Sequence, residues 1–299
     1  MRRMLKFRGR MGITDRIGLG LTLVLMGLGI ATAMVRADET PARIISLGGS
    51  VTEIIYALGE EERLVARDTT SMYPDAALDL PDVGYIRALS PEGVLSAEPD
   101  LILSEEGAGP PEVIDILRAA SIPFVEIPEA YSVDGIVSKI LAVGEALGVT
   151  ERAEALAAQV QDDLQATINE VSSSEDARQR VLFILSTQGG RILASGTGTS
   201  ADAVIGLAGA DNAITTFEGY KPVTAEAIAA AKPQVILMMD RGGDHSVSNE
   251  DLFEMPALST TPAAENGSVV RMNGLLLLGF GPRTGQAVRR LHAALYPAG

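Results

Sequence analysis

Apolar and polar positions alternate along this chain in two rhythms. Short apolar runs, "RIISLG" (43–48), "RLVARD" (63–68), "DLILSE" (100–105) and "PFVEI" (123–127), have the length and composition of buried strands. Between them, "SVTEIIYALG" (50–59), "SPEGVLSAE" (90–98) and "PPEVIDILRAA" (110–120) read as helices. This alternation predicts a parallel sheet covered by helices. The pattern then changes: "SVDGIVSKILAVGEALGV" (132–149) is followed by "TERAEALAAQVQDDLQATINEVSSS" (150–174), a long helix with few apolar residues and Thr150 as its expected N-cap. Alternation resumes in "VLFILS" (181–186), "RILASG" (191–196), "SADAVIGLAG" (200–209), "TAEAIAAAK" (224–232), "QVILMM" (234–239) and "SVVRMN" (268–273), and ends in a helix near 284–295. The expected fold is α/β: two Rossmann-like lobes with parallel sheets joined by a single long α-helix. The expected divisions are an N-terminal lobe at 38–149, a linking helix at 150–177 and a C-terminal lobe at 178–299.

The halves repeat each other. "SPEGVLSAEPDLIL" (90–103) aligns without a gap to "TAEAIAAAKPQVIL" (224–237), pairing Ser90 with Thr224, Glu92 with Glu226 and Pro99 with Pro233. "SVTEIIYALG" likewise lies over "TSADAVIGLAG". Upstream of each aligned helix stands a Gly-Tyr pair, Gly84-Tyr85 and Gly219-Tyr220, so both tyrosines are expected to project from loops toward one cleft where duplicated α/β units face each other.

The first 37 residues do not fit this alternation. A basic start (Arg2, Arg3, Lys6, Arg8, Arg10, Arg16), an apolar run from Ile17 to Met34 and a small-residue site before Asp38 predict a signal peptide at 1–37, cleaved near Ala37. The competing reading is a membrane anchor, which the many Gly, Ala and Thr residues of the run disfavour. "RRMLK" partly resembles a twin-arginine signal but lacks its aromatic residue.

Composition narrows the compartment and the partners. With no cysteine, the chain has no disulfide, no thiolate metal ligand and no residue to carry a lipid anchor. An exported protein without a lipid needs an outer membrane to retain it, which makes a periplasm the expected location. Removing a leader with seven basic residues and one acid moves the net charge from −15 to −21, which excludes nucleic acid and anionic lipid as natural partners. Only His245 and His292 are available as imidazoles; His292 is expected on the surface of the last helix, and His245 in a polar loop. "GTGTSA" (196–201) precedes a helix without the rest of a dinucleotide fingerprint, and the repeat explains it as strand-to-helix chemistry.

At this point the residues carry a resemblance. "DTTSMYPDAALDLPDVGYIRALSPEGVLSAEPDLILSEEGAGPP", with "GYKPVTAEAI" and "LLLLGFGPRTGQAV", resembles the periplasmic haem-binding component of bacterial haem ABC importers, whose architecture is shared with cobalamin and siderophore carriers. The resemblance implies that Tyr85, in "VGYIR", is the axial ligand of ferric haem with Arg87 as its partner. Some members of that family add a histidine near the loop "STQGG" (186–190), where this chain has Gln188, so coordination by Tyr85 alone is the safer reading. Tyr220 would face the porphyrin or approach the iron from the other side. The resemblance further implies that Glu92 and Glu226 dock into the two subunits of an ABC permease that works with an ATPase; the local alternative is helix capping. No catalysis is implied, and the expected state is a monomer.

Bottom-up chemistry agrees with the iron reading, because ferric iron is a hard cation, phenolate is a hard oxygen ligand and a nearby guanidinium favours the phenolate form. A bland alternative for Tyr85 is packing against its own loop. Two other functions stay open: carriage of cobalamin or a ferric siderophore on the same fold, and an enzyme that modifies haem in the cleft.

Overall fold

The computed structural model describes residues 41–240 and 247–297. The expected signal peptide at 1–37 and His245 lie outside the described residues. In chain order the first half forms β1 (Ile44–Leu47), α1 (Gly49–Ala57), β2 (Leu64–Arg67), α2 (Pro91–Leu95), β3 (Leu101–Glu105), α3 (Pro111–Ala119) and β4 (Phe124–Ile127). The four strands pair in the order β2-β1-β3-β4, all parallel. Central β1 is buried at every position, as expected of a strand whose both faces are covered.

Two helices follow, α4 (Val133–Leu147) and α5 (Thr150–Ser172). Ser132 caps α4 by accepting from the Gly135 N–H at 3.0 Å. The expected cap of α5 does not form. Thr150 is already the first helical residue, and Val149, in the capping position, offers no side-chain acceptor. Only Gly148 and Val149 separate the two helices, and the Val149 N–H is used to close α4 on the Gly144 carbonyl at 2.8 Å. At 23 residues α5 is about 34 Å long. Its polar surface hides one buried stripe, Ala153, Ala157, Val160, Leu164, Thr167 and Val171. At its start Arg152 donates to the Leu58 carbonyl at 2.6 Å; farther along, Asp163 pairs with Arg289 at 3.0 Å. One continuous core therefore runs from Ile44 through this stripe to Leu291.

The second half forms β5 (Arg180–Ser186), β6 (Ile192–Ser195), α6 (Ser200–Leu207), β7 (Asp211–Asn212), β8 (Tyr220–Val223), α7 (Ala225–Ala231), β9 (Val235–Asp240), α8 (Asn249–Glu254), α9 (Pro262–Asn266), β10 (Val269–Asn273), α10 (Gly274–Leu278) and α11 (Thr284–Leu295). Strands β7, β5, β9 and β10 pair in parallel and reproduce the order of β2, β1, β3 and β4. The duplication visible in the sequence is thus a duplication of sheet topology. The second sheet is nevertheless mixed, because β6 and β8 add an antiparallel arm to the far end of β5. Residues 187–191 are too few for a parallel crossover, so β5 and β6 form a hairpin.

Candidate ligand cleft between the lobes

In a parallel α/β sheet the ligand side is the carboxyl end of the strands. Here that end of the first sheet is crossed by a segment of the second lobe, residues 279–283. Lys139 of α4, fully buried, donates to Glu129 Oε2 at 2.5 Å and to Ser50 Oγ at 3.0 Å, and reaches the Gly279 carbonyl of the second lobe at 3.4 Å. Next along the segment, the Phe280 ring meets Tyr131 edge-on with centroids 5.2 Å apart. Arg283 then pairs with Glu53 of α1, Nη2 to Oε2 at 2.8 Å, and lies 3.4 Å over the Tyr73 ring. The motif "LLLLGFGPRTGQAV" therefore contains the seam between the lobes.

The environment around Lys139 perturbs its partners. Burial pushes Glu129 up to about 8, with Lys139 pulling it down and the Glu105 carboxylate pushing it further up. Among the described residues Glu129 Oε1 is buried without a hydrogen-bond partner, because the neighbouring Glu105 carboxylate can only accept. A proton on Glu129 would let it donate to Glu105 and satisfy both. Glu105 itself accepts from Ser50 Oγ at 2.6 Å, and the Glu129 N–H donates to Glu106 at 3.1 Å. Gly48, between β1 and α1, accommodates this packing: its φ is 122°, and a Cβ there would fall 2.7 Å from the Cβ of Glu105.

Above this cluster stands Tyr131, pushed up to about 12 by burial and then by Glu129, Tyr220 and Glu105, with Arg87 acting in the opposite direction. Arg87, Glu105 and Glu129 belong to the first lobe and Tyr220 to the second, so this ring stands between them. At such a value the hydroxyl stays a protonated donor at neutral pH.

Tyr85 is exposed on a loop whose backbone is fastened by hydrogen bonds. Its side chain is 47% exposed between buried Val83 and Ile86, and its hydroxyl makes no hydrogen bond within the described residues. The preceding Gly84 adopts φ 104° and is fastened on both sides: its N–H donates to Asp82 at 2.8 Å and its carbonyl accepts from the Thr69 N–H at 3.0 Å. Asp82 is held in turn by Arg67 at 2.7 Å. Arg87 is exposed and donates to the Gly107 carbonyl at 3.3 Å rather than to Tyr85. Its charge faces Tyr131.

Tyr220 departs from the loop expectation. Gly219 has the positive φ of its counterpart, 80°, but Tyr220 opens edge strand β8, half-buried, with its hydroxyl 3.4 Å from Ser200 Oγ and its ring 6.2 Å from Phe183. Its antiparallel pairing with Ser195 leaves no loop for it to project from. His292 is likewise not a surface residue: it is half-buried, with Nδ1 3.0 Å from the Ala208 carbonyl and its ring 5.0 Å from Tyr296. Exposed Gln188 lies in the turn between β5 and β6.

Glu92 and Glu226 occupy matching places. Each is the second residue of a short helix, and each is exposed. Ser90 accepts from the Gly93 N–H at 3.0 Å and Thr224 from the Ala227 N–H at 3.3 Å, so the hydroxyls already cap both helices. Hydrogen bonds from its own backbone N–H and from Thr224 hold Glu226 below the usual carboxylate range. A surface depression of about 380 Å³ on the first lobe, bordered by Arg43, Val65, Asp82 and Ser96, includes none of the tyrosines.

Two α/β lobes carried on one long helix, with tyrosines and charged groups gathered at the strand ends, define a solute-binding protein. The chain belongs to the periplasmic binding protein family, matched over residues 44–274. Among solved structures it is similar to the periplasmic heme-binding protein BhuT in complex with two hemes: 42% identity, TM-score 0.80, 85% of this chain and 97% of that one. It is similar also to the periplasmic heme-binding protein RhuT from Roseiflexus sp. RS-1 in apo form, at 38% identity and TM-score 0.81 over 85% of this chain and 97% of that one. Among curated proteins, the vitamin B12-binding protein of Yersinia pestis (strain Pestoides F) is 30% identical over 229 residues, 76% of this chain and 79% of the relative.

The sequence reading passed over Lys139, Glu129, Tyr131 and the Glu53–Arg283 pair. A signal for the first was present: Ile136, Lys139, Ile140, Val143 and Leu147 form one helical stripe, so the lysine occupies a core position.

Proposed function

We propose that this chain binds ferric haem between its lobes and hands it to an ABC permease. Tyr85 coordinates the iron and Tyr220 lines the opposite wall. Arg87, two residues along the chain and turned toward Gly107 and Tyr131, supplies positive charge to the cleft. The observation that carries the reading is the exposed phenol of Tyr85, free of hydrogen bonds among the described residues, on a loop fastened at both sides of Gly84. The similarity to haem-binding structures at 38–42% identity supports it further. The rival cargo is cobalamin, supported by the similarity to a vitamin B12-binding protein. Cobalamin brings its own cobalt ligands and has no evident use for an exposed phenolate.

In this reading residues 1–37 are the export leader, the mature monomer works in the periplasm, and residues 38–149 and 178–299 are the lobes on either side of the 150–177 link. Glu92 and Glu226 are the docking charges for the permease pair, whose ATPase drives transport. The chain carries its cargo without transforming it.

Titration of the purified chain with ferric haem and with cyanocobalamin decides between the cargoes. A shifted Soret band with a phenolate-to-iron charge-transfer absorption is expected for haem. Tyr85→Phe should abolish that absorption and weaken binding strongly, and Arg87→Ala should weaken it by about tenfold. A Tyr85→Phe spectrum identical to wild type would sink the ligand assignment, and tight binding of cyanocobalamin alone would sink the haem reading.

A further inference from the structure

A fully buried lysine is costly unless every charge near it is answered. Lys139 is answered from three sides: Glu129 from the end of β4, Ser50 from α1 and the Gly279 carbonyl from the other lobe. Two of the aromatic rings at the seam sit beside these partners. Tyr131 is two residues past Glu129, and Phe280 follows Gly279. Their edge-on contact at 5.2 Å spans the lobes where the lysine does.

We propose that Lys139 is a positioning residue for the cargo: by tying Glu129 and Ser50 to Gly279, it holds buried Phe280 against the exposed ring of Tyr131, so that Tyr131, braced from behind, is the aromatic floor for a flat macrocycle. This deepens the haem reading and rests on it for the identity of the cargo. Lys139 itself, buried beneath the floor, touches no ligand.

The charges around the tie make it sensitive to proton supply. Glu129 faces Lys139 from α4 and the carboxylate of Glu105 from the end of β3, while Glu106 accepts from its backbone N–H. Tyr131 and, beyond it, Arg87 lie on the cleft side. With a proton on Glu129, the seam around Lys139 carries one buried negative charge fewer. As pH rises through about 8 that proton leaves, and a second negative charge is buried at the seam. The tie should then loosen. A floor correctly assembled in only a tenth of the molecules weakens apparent affinity by about tenfold.

Two measurements test this. The first is amide hydrogen exchange in the cargo-free chain: Lys139→Met should raise exchange across residues 279–281 while the second-lobe strands stay protected. The second is haem affinity from pH 6.5 to 9. Wild type should weaken by about tenfold across that span, Glu129→Gln should give a flat profile, and Lys139→Met should bind weakly throughout with the Tyr85 charge-transfer band at its usual wavelength. If Lys139→Met does not fold, the Glu129→Gln profile decides, and a slope parallel to wild type overturns the proposal. So does a folded Lys139→Met with wild-type exchange and affinity. A wild-type chain that shows no Soret shift refutes the haem reading, and the exchange measurement still decides the role of Lys139.

Discussion

Arg283 of the second lobe grips Glu53 of the first twice: its guanidinium meets one carboxylate oxygen at 2.8 Å and its backbone N–H meets the other at 3.1 Å. Glu53 is buried and comes from α1, directly behind the strand ends that face the cleft. Removing one partner of a buried pair leaves the other uncompensated. Arg283→Ala should therefore cost about 3 kcal/mol and lower the melting temperature by about 6–12 °C. Replacing both residues with methionine should cost less than either single change, measured by the same melts. Because this pair, the Lys139 tie and the unbroken α5 all span the lobes, lobe closure should be small. Solution scattering of cargo-free and loaded forms should give nearly equal radii of gyration.

Among the described residues Gly84 meets no neighbour that a methyl group would strike, so its importance is conformational. At φ 104° a side chain is strained by about 1–2 kcal/mol. Gly84→Ala should lower the melting temperature by a few degrees, about 2–4 °C per kcal/mol, and move Tyr85 off its position. The comparison is Gly148→Ala at φ 73° in the α4–α5 turn, which should show a similar stability loss with normal cargo binding. Equal binding by the two variants would mean that the Tyr85 loop is not pre-set by Gly84.

Glu129 makes the fold bind more protons than the unfolded chain between its ordinary value of 4.5 and about 8. The stability it contributes is complete below pH 4.5 and is lost as pH rises through 8. Glu60 has the opposite sign: burial opposes its charged form, but hydrogen bonds from Arg63 and Arg152 prevail and hold it low. Its contribution disappears on the acid side. Denaturant melts across this range should show wild type weakening toward pH 9 and Glu129→Gln losing that slope.

Glu92 and Glu226 stand exposed one residue after Pro91 and Ala225, and Ser90 and Thr224 already cap their helices. Reversing both charges with lysine should cost little stability and leave haem affinity unchanged. In a reconstituted transporter the same variant should deliver no haem, since complementary charge sets the register of docking. Transport at the wild-type rate would reduce the pair to favourable charges at two helix starts.

Local pattern was sufficient for the central strands and their flanking helices and for their duplication, but not for the edge strand at Tyr220–Val223 or the short helices at Asn249–Glu254 and Pro262–Asn266. The strands at 43–48 and 100–105 are short apolar runs whose neighbours on both faces are helices, and the gapless match of 90–103 to 224–237 reappears as two capped helices leading into equivalent central strands. The Gly84-Tyr85 turn was legible because a positive φ beside an exposed ring leaves a glycine in the sequence. Periodicity carries no record of which strand ends face each other across the molecule. The partnership of Lys139 with Glu129, Ser50 and Gly279 joins residues up to 140 positions apart. So does Arg283 with Glu53, 230 positions apart. Arg87 was legible as a charge, but its direction, toward Gly107 and Tyr131 rather than Tyr85, depends on how the ends of β3 and β4 pack. Tyr220 became a strand residue because β6 folded back on β5, and its side chain took the environment of that edge. Residue spacing along one strand or helix is set by bond geometry, whereas these pairings are set by the burial of two lobes against one another.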